Sequence, residues 1–263
     1  DHIPALVEAK GWITGGANAS NADLVRVGLA GTLRDYTVAD GRKLSAIDYH
    51  GQPAGYATQP TEVVNYVENH DNQTLFDIAA LKLPRDTTPE ERARVQVLGA
   101  ATTAFSQGIA YWHAGIDVLR SKSLDRNSYD SGDAFNRLDW TYTDNGFGAA
   151  LPPAGDNAQD LDAMRPLLAD AARIKPAPRD IAWMRDAFRD LLKIRAGSAL
   201  FRLHSADDVR RRVTFPAGND ARLVVERIDG KGLPDANFGA AMIFLNADTV
   251  PRSLVIDGTR GEA

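Results

Sequence analysis

The chain has 263 residues, a net charge of −5 and an isoelectric point near 5.6, and this acidic balance argues against a nucleic acid or an anionic membrane surface as a partner. It contains no cysteine, which excludes disulfides and thiolate metal sites. No apolar run approaches the roughly 18 residues that a membrane-spanning helix needs. The lack of cysteine suits a bacterial secreted protein, but a cytosolic one could equally lack it; we expect an extracellular or cell-surface bacterial location rather than a cytoplasmic one. Because the chain starts at Asp1-His2-Ile3-Pro4, without an initiator Met or a targeting signal, we expect it to be a piece of a longer protein.

The first part of the chain is predicted to lead from short helices into one buried strand. Asp1 to Gly16 is typical of short helix interrupted by glycine. Asp23 is placed to cap a helix from Leu24 to about Arg34, and a glycine-rich loop follows over residues 35–58. Glu62 to Val67 is a short run rich in β-branched side chains, which is typical of a parallel strand buried on both faces.

A second parallel strand is predicted after a clearly marked helix. Thr88 precedes Pro89 and Glu91 completes a capping box, so a helix should begin here and run to about Phe105. Gly108 to Trp112 is the next apolar stretch. The result is a strand–helix–strand unit, for which a right-handed crossover is close to obligatory.

The stretch from Gly115 to Asp180 is too long for a simple connection, and such excursions usually carry function. It should contain a helix near Leu161 to Ile174. A further helix is predicted from Ile181 to Arg195, where apolar residues recur at helical spacing, and Gly197 marks its end.

From Arg202 onward the pattern changes to period two, which predicts a second, antiparallel all-β domain. The expected strands are Val209–Phe215, Arg222–Ile228, Ala240–Leu245 and Ser253–Ile256. Since the sequence stops at Ala263 without a closing strand, we expect this domain to be incomplete.

Polar side chains crowd the place where the first strand ends. The residues after Val67 are Glu68, Asn69, His70, Asp71, Asn72 and Gln73. Charge and amide groups at the end of a buried strand are how a (β/α) barrel builds its active-site face. A carboxylate beside a histidine and two amides suits the binding of a sugar ring, and it would stabilise the oxocarbenium-like transition state of glycoside hydrolysis. The spacing alone leaves an alternative, in which Asp71 caps the next helix and His70 is a structural hydrogen-bonding residue.

A second candidate pair is Asp133 and Arg137, which are four residues apart and can face the same way on a helical turn. The alternative here is an exposed ion pair worth under roughly 1 kcal/mol. Aromatic side chains matter because they stack on the apolar faces of sugar rings. The candidates are Phe76, Tyr111, Trp112, Tyr129, Phe135 and Trp140, most of which we expect to be packing residues.

Several of these stretches carry a family resemblance. NYVENHDNQTLFD resembles the fourth sequence motif of the α-amylase family of glycoside hydrolases, and HDNQTL resembles its pullulanase and limit-dextrinase branch. VGLAGTLRDY, DYHGQPAGYA and LRSKSLDRNSYDSGDAFNR are similar to the same branch. The resemblance implies a debranching enzyme that hydrolyses α-1,6-glucosidic bonds with retention. Its partners would be α-glucans such as pullulan, amylopectin and limit dextrins.

The resemblance also implies a fold, α/β plus all-β. Residues 1–200 would be the C-terminal portion of a catalytic (β/α)8 TIM barrel, and residues 201–263 a truncated antiparallel β-sandwich. Both ends would be incomplete, and open strand edges of this kind favour self-association of the chain when it is made alone. The family allows a calcium ion, to which no residue is assigned; no other cofactor is expected.

The family roles transfer to individual residues here. His70 would hold the sugar at the cleavage point, Asp71 would stabilise the transition state, and Asn72 is assigned with them to substrate binding. Asp133 and Arg137 would bind the next glucose on the non-reducing side. Phe76 departs from the tryptophan common in this branch, which leaves an outer-subsite role there without support.

Two catalytic groups of the family have no counterpart in this sequence. A retaining glycosidase needs a carboxylate nucleophile and a carboxylic acid about 5 Å apart. In the α-amylase family these come from motifs that precede the one seen here, and nothing between Asp1 and Val64 resembles either. The alternatives left open are an α-1,4-acting or dual-specificity relative, and a non-catalytic glucan-binding or structural module.

Overall fold

The computed structural model describes residues 3–216 and 220–255, which form a mixture of helices and small sheets. They divide into two compact units, each assembled from separate stretches of the chain. The first unit comprises Asp1–Gly16, Tyr66–Ala101 and Tyr111–Lys193, and the second comprises Ala17–Asn65, Thr102–Ala110 and Ile194–Ala263. The domains 1–200 and 201–263 stay a prediction.

Helices account for most of the regular structure in the described residues. They are α1 (Ile3–Glu8), α2 (Ala19–Leu29), α3 (Leu75–Lys82), α4 (Pro89–Phe105), α5 (Asp133–Asn136), α6 (Ala154–Asn157), α7 (Leu161–Ala169), α8 (Ala171–Ile174), α9 (Pro178–Ala196) and α10 (Ala206–Arg212). None of them combines the length and the apolar character that crossing a membrane requires.

The capping signal of α4 is confirmed. The Thr88 amide donates to the Glu91 carboxylate at 2.8 Å, and the Glu91 amide donates back to the Thr88 hydroxyl at 3.2 Å. The predicted cap of α2 is wrong, because Asn18 accepts from the Asn21 amide at 2.8 Å and starts the helix at Ala19. Asp23 lies inside that helix.

The strands of the described residues are short except for two. They are β1 (Asp48–Tyr49), β2 (Gln52–Pro53), β3 (Val64–Asn65), β4 (Ile109–Ala110), β5 (Val213–Thr214), β6 (Leu223–Asp229) and β7 (Ala240–Asn246). β1 and β2 form a hairpin, β3 and β4 a parallel pair, and β5, β6 and β7 an antiparallel sheet in that order.

The parallel pair is present but shorter and more exposed than the sequence predicts. Val64 pairs with Ile109, and Pro60 begins a 3₁₀ turn that takes up the start of the predicted strand. Val64 and Ile109 are 50% and 51% exposed, so the prediction of burial on both faces is wrong for these residues. The physical reason is that no other described strand pairs with β3 or β4.

The antiparallel sheet follows the prediction for β6 and β7, which pair along their whole length from Leu223↔Asn246 to Asp229↔Ala240. The predicted strand Val209–Phe215 is wrong over most of its length. Ser205 accepts from the Asp208 amide at 3.1 Å and starts helix α10, which leaves two residues for β5. For the predicted strand Ser253–Ile256, residues 253–255 form no strand, and Ile256 lies outside the described residues.

Candidate functional site

The polar cluster after β3 forms a tight turn in the first unit. The Asn69 side chain accepts from the Asp71 amide at 2.9 Å, which fixes the backbone around His70. Asn72 follows in the left-handed region with φ 58°, a conformation that asparagine adopts more readily than most residues. The turn therefore presents His70 and Asp71 on the surface, where their side chains are 77% and 65% exposed and 3.3 Å apart.

The start of helix α3 is capped without Asp71. The Thr74 hydroxyl accepts from the Asp77 amide at 3.2 Å, and the buried Glu68 carboxylate accepts from the Leu75 amide. The alternative in which Asp71 serves as this cap is therefore wrong. Its carboxylate is exposed and lies beside His70.

A buried carboxylate on α3 organises the segment that faces this turn. Asp77 accepts hydrogen bonds from the Ser121 hydroxyl and from the Lys122 amide, the latter at 2.8 Å. Burial raises the pKa of Asp77 to about 6, and the hydrogen bond from Ser121 opposes that rise. From this anchored backbone, the Lys122 ammonium reaches the His70 carbonyl at 3.0 Å.

Arg120 makes a second set of contacts from the same segment. Its guanidinium donates to the Asn136 carbonyl at 3.2 Å and to the Ala114 carbonyl at 3.3 Å, and it lies 3.3 Å from the His113 ring. Glu68 lies 3.5 Å from the other ring nitrogen of His113. The contacts thus run from the residues just before the His70 turn to the end of helix α5.

These groups surround a cavity of about 250 Å³ in the first unit. Its lining residues are His70, Asp71, His113, Arg120, Lys122, Asn127, Ser128, Tyr129 and Asn136. The lining is rich in hydrogen-bonding groups, as binding of several sugar hydroxyls requires. Within this lining, Asp71 is the one carboxylate.

The other predicted site residues lie outside the lining. Asn72 is exposed next to it. Asp133 begins helix α5, and the Arg137 amide donates to the Asp133 carbonyl at 3.0 Å at the end of that helix. Among the ion pairs of the described residues, none joins the side chains of Asp133 and Arg137, so the surface-pair alternative is not seen there. Asn136, between them, does line the cavity.

The aromatic candidates separate clearly. Phe76 and Phe135 are buried, and Phe76 packs edge-on against Phe147 with ring centroids 5.7 Å apart. Trp112 packs against Phe188 in the same way at 5.4 Å. Tyr129 alone of the six lines the cavity, and it is 80% exposed.

Four groups that hold the site together have no role predicted from the sequence, although Glu68 belongs to the polar cluster noted there. They are Glu68, Asp77, Arg120 and Lys122. The one available signal was LRSKS, in which two basic residues alternate with small polar ones inside a stretch that resembles a known branch. Among residues 3–216 and 220–255, no group of three or more His, Cys, Asp or Glu side chains is placed to hold a metal ion. The calcium ion that the resemblance allows therefore has no site assigned in this part of the chain.

Comparison with known proteins finds similarity to pullulanases. Residues 142–263 match the family model for "Alpha-1,6-glucosidases, pullulanase-type, C-terminal". The chain is 41% identical to Pullulanase 1, chloroplastic, of Arabidopsis thaliana over 223 residues, 81% of this chain and 23% of that protein. It is 37% identical to pullulanase of Klebsiella pneumoniae over 253 residues, 92% of this chain and 23% of the relative. This chain is similar to a fragment of the pullulanases.

Solved pullulanase structures extend the match to three dimensions. The crystal structure of PulA from Klebsiella oxytoca matches with a TM-score of 0.87 and 33% identity, over 94% of this chain and 26% of that one. A maltotriose complex of PulA from Klebsiella pneumoniae matches with a TM-score of 0.83 and 34% identity, over 94% of this chain and 29% of that one. The chain thus spans about a quarter of the length of these pullulanases.

Proposed function

We propose that this chain supplies part of the glucan site of a pullulanase-type enzyme that hydrolyses α-1,6-glucosidic bonds with retention. Its substrates would be pullulan, amylopectin and limit dextrins. The observation that carries the proposal is the position of Asp71. This carboxylate does not cap helix α3, it is exposed, and it lines a polar cavity beside His70.

Asp71 then has the role of transition-state stabiliser. As the glycosidic bond breaks, positive charge develops on the sugar, and a fixed carboxylate lowers the energy of that state more than it lowers the energy of the bound substrate. His70 would hold the sugar through its ring nitrogens, and Asn72 would assist. Asp133 and Arg137 would bind the neighbouring glucose from either end of α5.

The nucleophile and the general acid would come from outside this chain. Of the residues that line the cavity, only Asp71 carries a carboxylate, whereas a retaining glycosidase needs two more. The parallel pair β3–β4, with helices α3 and α4 between its strands, supports the C-terminal portion of a (β/α)8 barrel as the setting. The sheet β5–β6–β7 would belong to the β-sandwich that follows.

The test uses the full-length protein that contains this chain. We expect Asp71→Asn to lower kcat on pullulan at least about 10²-fold while KM changes only a few-fold, because the carboxylate acts on the transition state. Arg137→Ala should raise KM first, since a subsite group contributes alike to substrate and transition state. Asp86→Asn is the matched control, because Asp86 is an exposed carboxylate outside the cavity lining.

Product analysis separates the remaining alternatives. Release of maltotriose from pullulan supports α-1,6 cleavage, and release of trisaccharides that retain an α-1,6 bond would indicate an α-1,4-acting relative. Maltotriose binding without any release of reducing ends would favour the glucan-binding module. An Asp71→Asn variant that keeps most of its kcat would contradict the role given to Asp71.

A further inference from the structure

Residues 119–125 form a buried segment with two cationic side chains. Arg120 and Lys122 are 9% and 1% exposed, and burial lowers the pKa of both. A buried cation is costly unless hydrogen bonds replace its water. Lys122 has one carbonyl partner, on His70, and Arg120 has two, on Ala114 and on Asn136.

Lys122 is directed to the turn that carries the candidate catalytic carboxylate. Its ammonium donates to the His70 carbonyl, the peptide group that joins His70 to Asp71. Its own backbone is fixed to helix α3 through Asp77, so the ammonium has a rigid base. A hydrogen bond at this peptide restrains the orientation of Asp71 without touching its carboxylate.

Arg120 is directed to the other element. Its guanidinium donates to the carbonyl of Asn136, the last residue of helix α5, which otherwise has no partner within so short a helix. The Asn136 side chain donates in turn to the Gly132 carbonyl at 3.1 Å, at the start of the same helix. Arg120 therefore holds helix α5, which begins at Asp133 and is followed directly by Arg137.

The backbone of residues 119–125 is unusual because three of its non-glycine residues have positive φ. Leu119, Ser123 and Leu124 all lie in the left-handed region, with φ of 57°, 51° and 70°, and all three are fully buried. Left-handed leucine is disfavoured by its Cβ, so the surroundings must hold it in place. The bends at 119 and 123 bracket the two cations.

Building on the function proposed above, we propose that Arg120 and Lys122 are positioning residues that act independently: Lys122 orients the His70–Asp71 turn, and Arg120 places helix α5 at the neighbouring subsite. Neither touches the bond that breaks. The short segment between the two side chains then sets the spacing between the catalytic carboxylate and the adjoining sugar subsite.

The experiment compares Lys122→Met and Arg120→Met in the full-length protein, with Arg126→Met as a control for loss of a nearby cation outside the cavity lining. Hydrogen–deuterium exchange should give a crossed result. Lys122→Met should speed exchange about tenfold or more in residues 69–73 and leave residues 133–137 unchanged, and Arg120→Met should do the reverse. Both segments loosening equally in each variant would overturn the proposal.

Kinetics supply a second crossed result. Lys122→Met should lower kcat about 10- to 100-fold with a smaller change in KM, and Arg120→Met should raise KM about tenfold with a smaller change in kcat. In an Asp71→Asn background, Lys122→Met should lower kcat little further, because both substitutions act through the Asp71 carboxylate. A merely structural role would lower the active fraction, which reduces kcat in both variants, multiplies in the double variant and leaves KM alone.

The conservative variants keep the test decisive if a methionine variant does not fold. Lys122→Arg and Arg120→Lys retain charge and donors, and each should restore its own parameter to within about fivefold. Failure of both to do so, with cooperative melting intact, would overturn the proposal. If the unsubstituted protein releases no sugar from pullulan, the proposed function fails, and the exchange measurement still decides whether the two cations hold separate elements.

Discussion

Asp77 and Glu226 are buried carboxyl groups, one in each unit of the chain, and their surroundings differ completely. Asp77 accepts hydrogen bonds from the hydroxyl of Ser121 and the amide of Lys122. Glu226, inside strand β6, has no hydrogen-bond partner at either oxygen. Burial raises the pKa of both, to about 6 for Asp77 and well above the ordinary glutamate value for Glu226.

The positive charge that acts on Glu226 is that of Arg195, whose hydrogen bonds go to other groups. The Arg195 guanidinium attracts it, but donates to the carbonyls of Ala104, Ser106 and Gly108 at 2.8, 2.9 and 2.7 Å. Because burial disfavours its charged form and it has no donor of its own, the pKa of Glu226 is raised. Two equally buried carboxyl groups therefore have opposite effects. Asp77, with hydrogen-bond donors, organises its surroundings, and Glu226, without them, is destabilising.

The largest expected effect comes from breaking the partnered carboxylate. Asp77→Ala leaves the Ser121 hydroxyl and the Lys122 amide buried without an acceptor, so we expect a loss of about 3 kcal/mol in the free energy of unfolding. Urea denaturation at pH 7.5 measures it through tryptophan fluorescence. All four tryptophans, Trp12, Trp112, Trp140 and Trp183, belong to the first unit.

Asp77→Asn is the control for this prediction, because it keeps one carbonyl acceptor in the same volume. It should lose less than the alanine variant. If Asp77→Ala loses under about 1 kcal/mol, the hydrogen bonds to Asp77 are not what stabilises segment 119–125.

At Glu226 we expect substitution to raise the free energy of unfolding, by less than Asp77→Ala lowers it. Its folded-state pKa is raised, so the stability that it contributes is fully present below the unfolded pKa near 4.5 and is lost as the pH rises toward the folded value. Glu226→Gln does not titrate, so the variant should gain on the natural protein with rising pH, reaching about 1 to 2 kcal/mol at pH 8. Far-UV circular dichroism during urea denaturation at pH 5, 6.5 and 8 measures the difference, because it follows the secondary structure of both units.

The pH dependence is the deciding part of that experiment. A difference between Glu226→Gln and the natural protein that stays constant from pH 5 to pH 8 would mean that Glu226 ionises as readily in the folded chain as in the unfolded one. Glu226→Leu at pH 5 provides a control, since it removes the carboxyl group and leaves an apolar side chain in its place.

The smallest effect is expected where a charge pair is exposed. Lys43 lies 3.1 Å from Asp35, and both side chains are more than half exposed. Lys43→Met should change the free energy of unfolding by less than about 0.5 kcal/mol, because solvent screens such pairs. A larger loss, seen in a urea titration followed by far-UV circular dichroism, would show that charge partners matter at the surface as they do around Asp77.

Local signals in the sequence were sufficient for much of the fold. The capping box at Thr88 gave helix α4 its first residue, and the apolar runs of β6 and β7 gave the sheet. The same capping rule applies at Ser205, but the alternation of Val209, Val213 and Phe215 predicts a strand where the structure has helix α10. Period-two alternation is a weak guide over seven residues when a serine cap and three following arginines favour a helix.

The candidate site divides in a similar way. The sequence places His70 and Asp71 in one turn, since they are neighbours. It cannot tell which of Glu68, Asp71 and Thr74 caps α3, because all three are polar and lie within one turn of its start. Nor does any pattern in a single sequence connect Lys122 with His70, since that contact depends on how the intervening helices pack.

The contact between Lys122 and His70 also bears on the order in which the site is made. Lys122 follows His70 by 52 residues. At about 5 to 20 residues per second, a ribosome takes roughly 3 to 10 seconds to add them. Closing so long a loop costs chain entropy before any contact compensates for it. A nascent chain therefore carries its His70–Asp71 turn for seconds without the ammonium that restrains it, and the candidate carboxylate is oriented only after the segment around Lys122 has folded against α3.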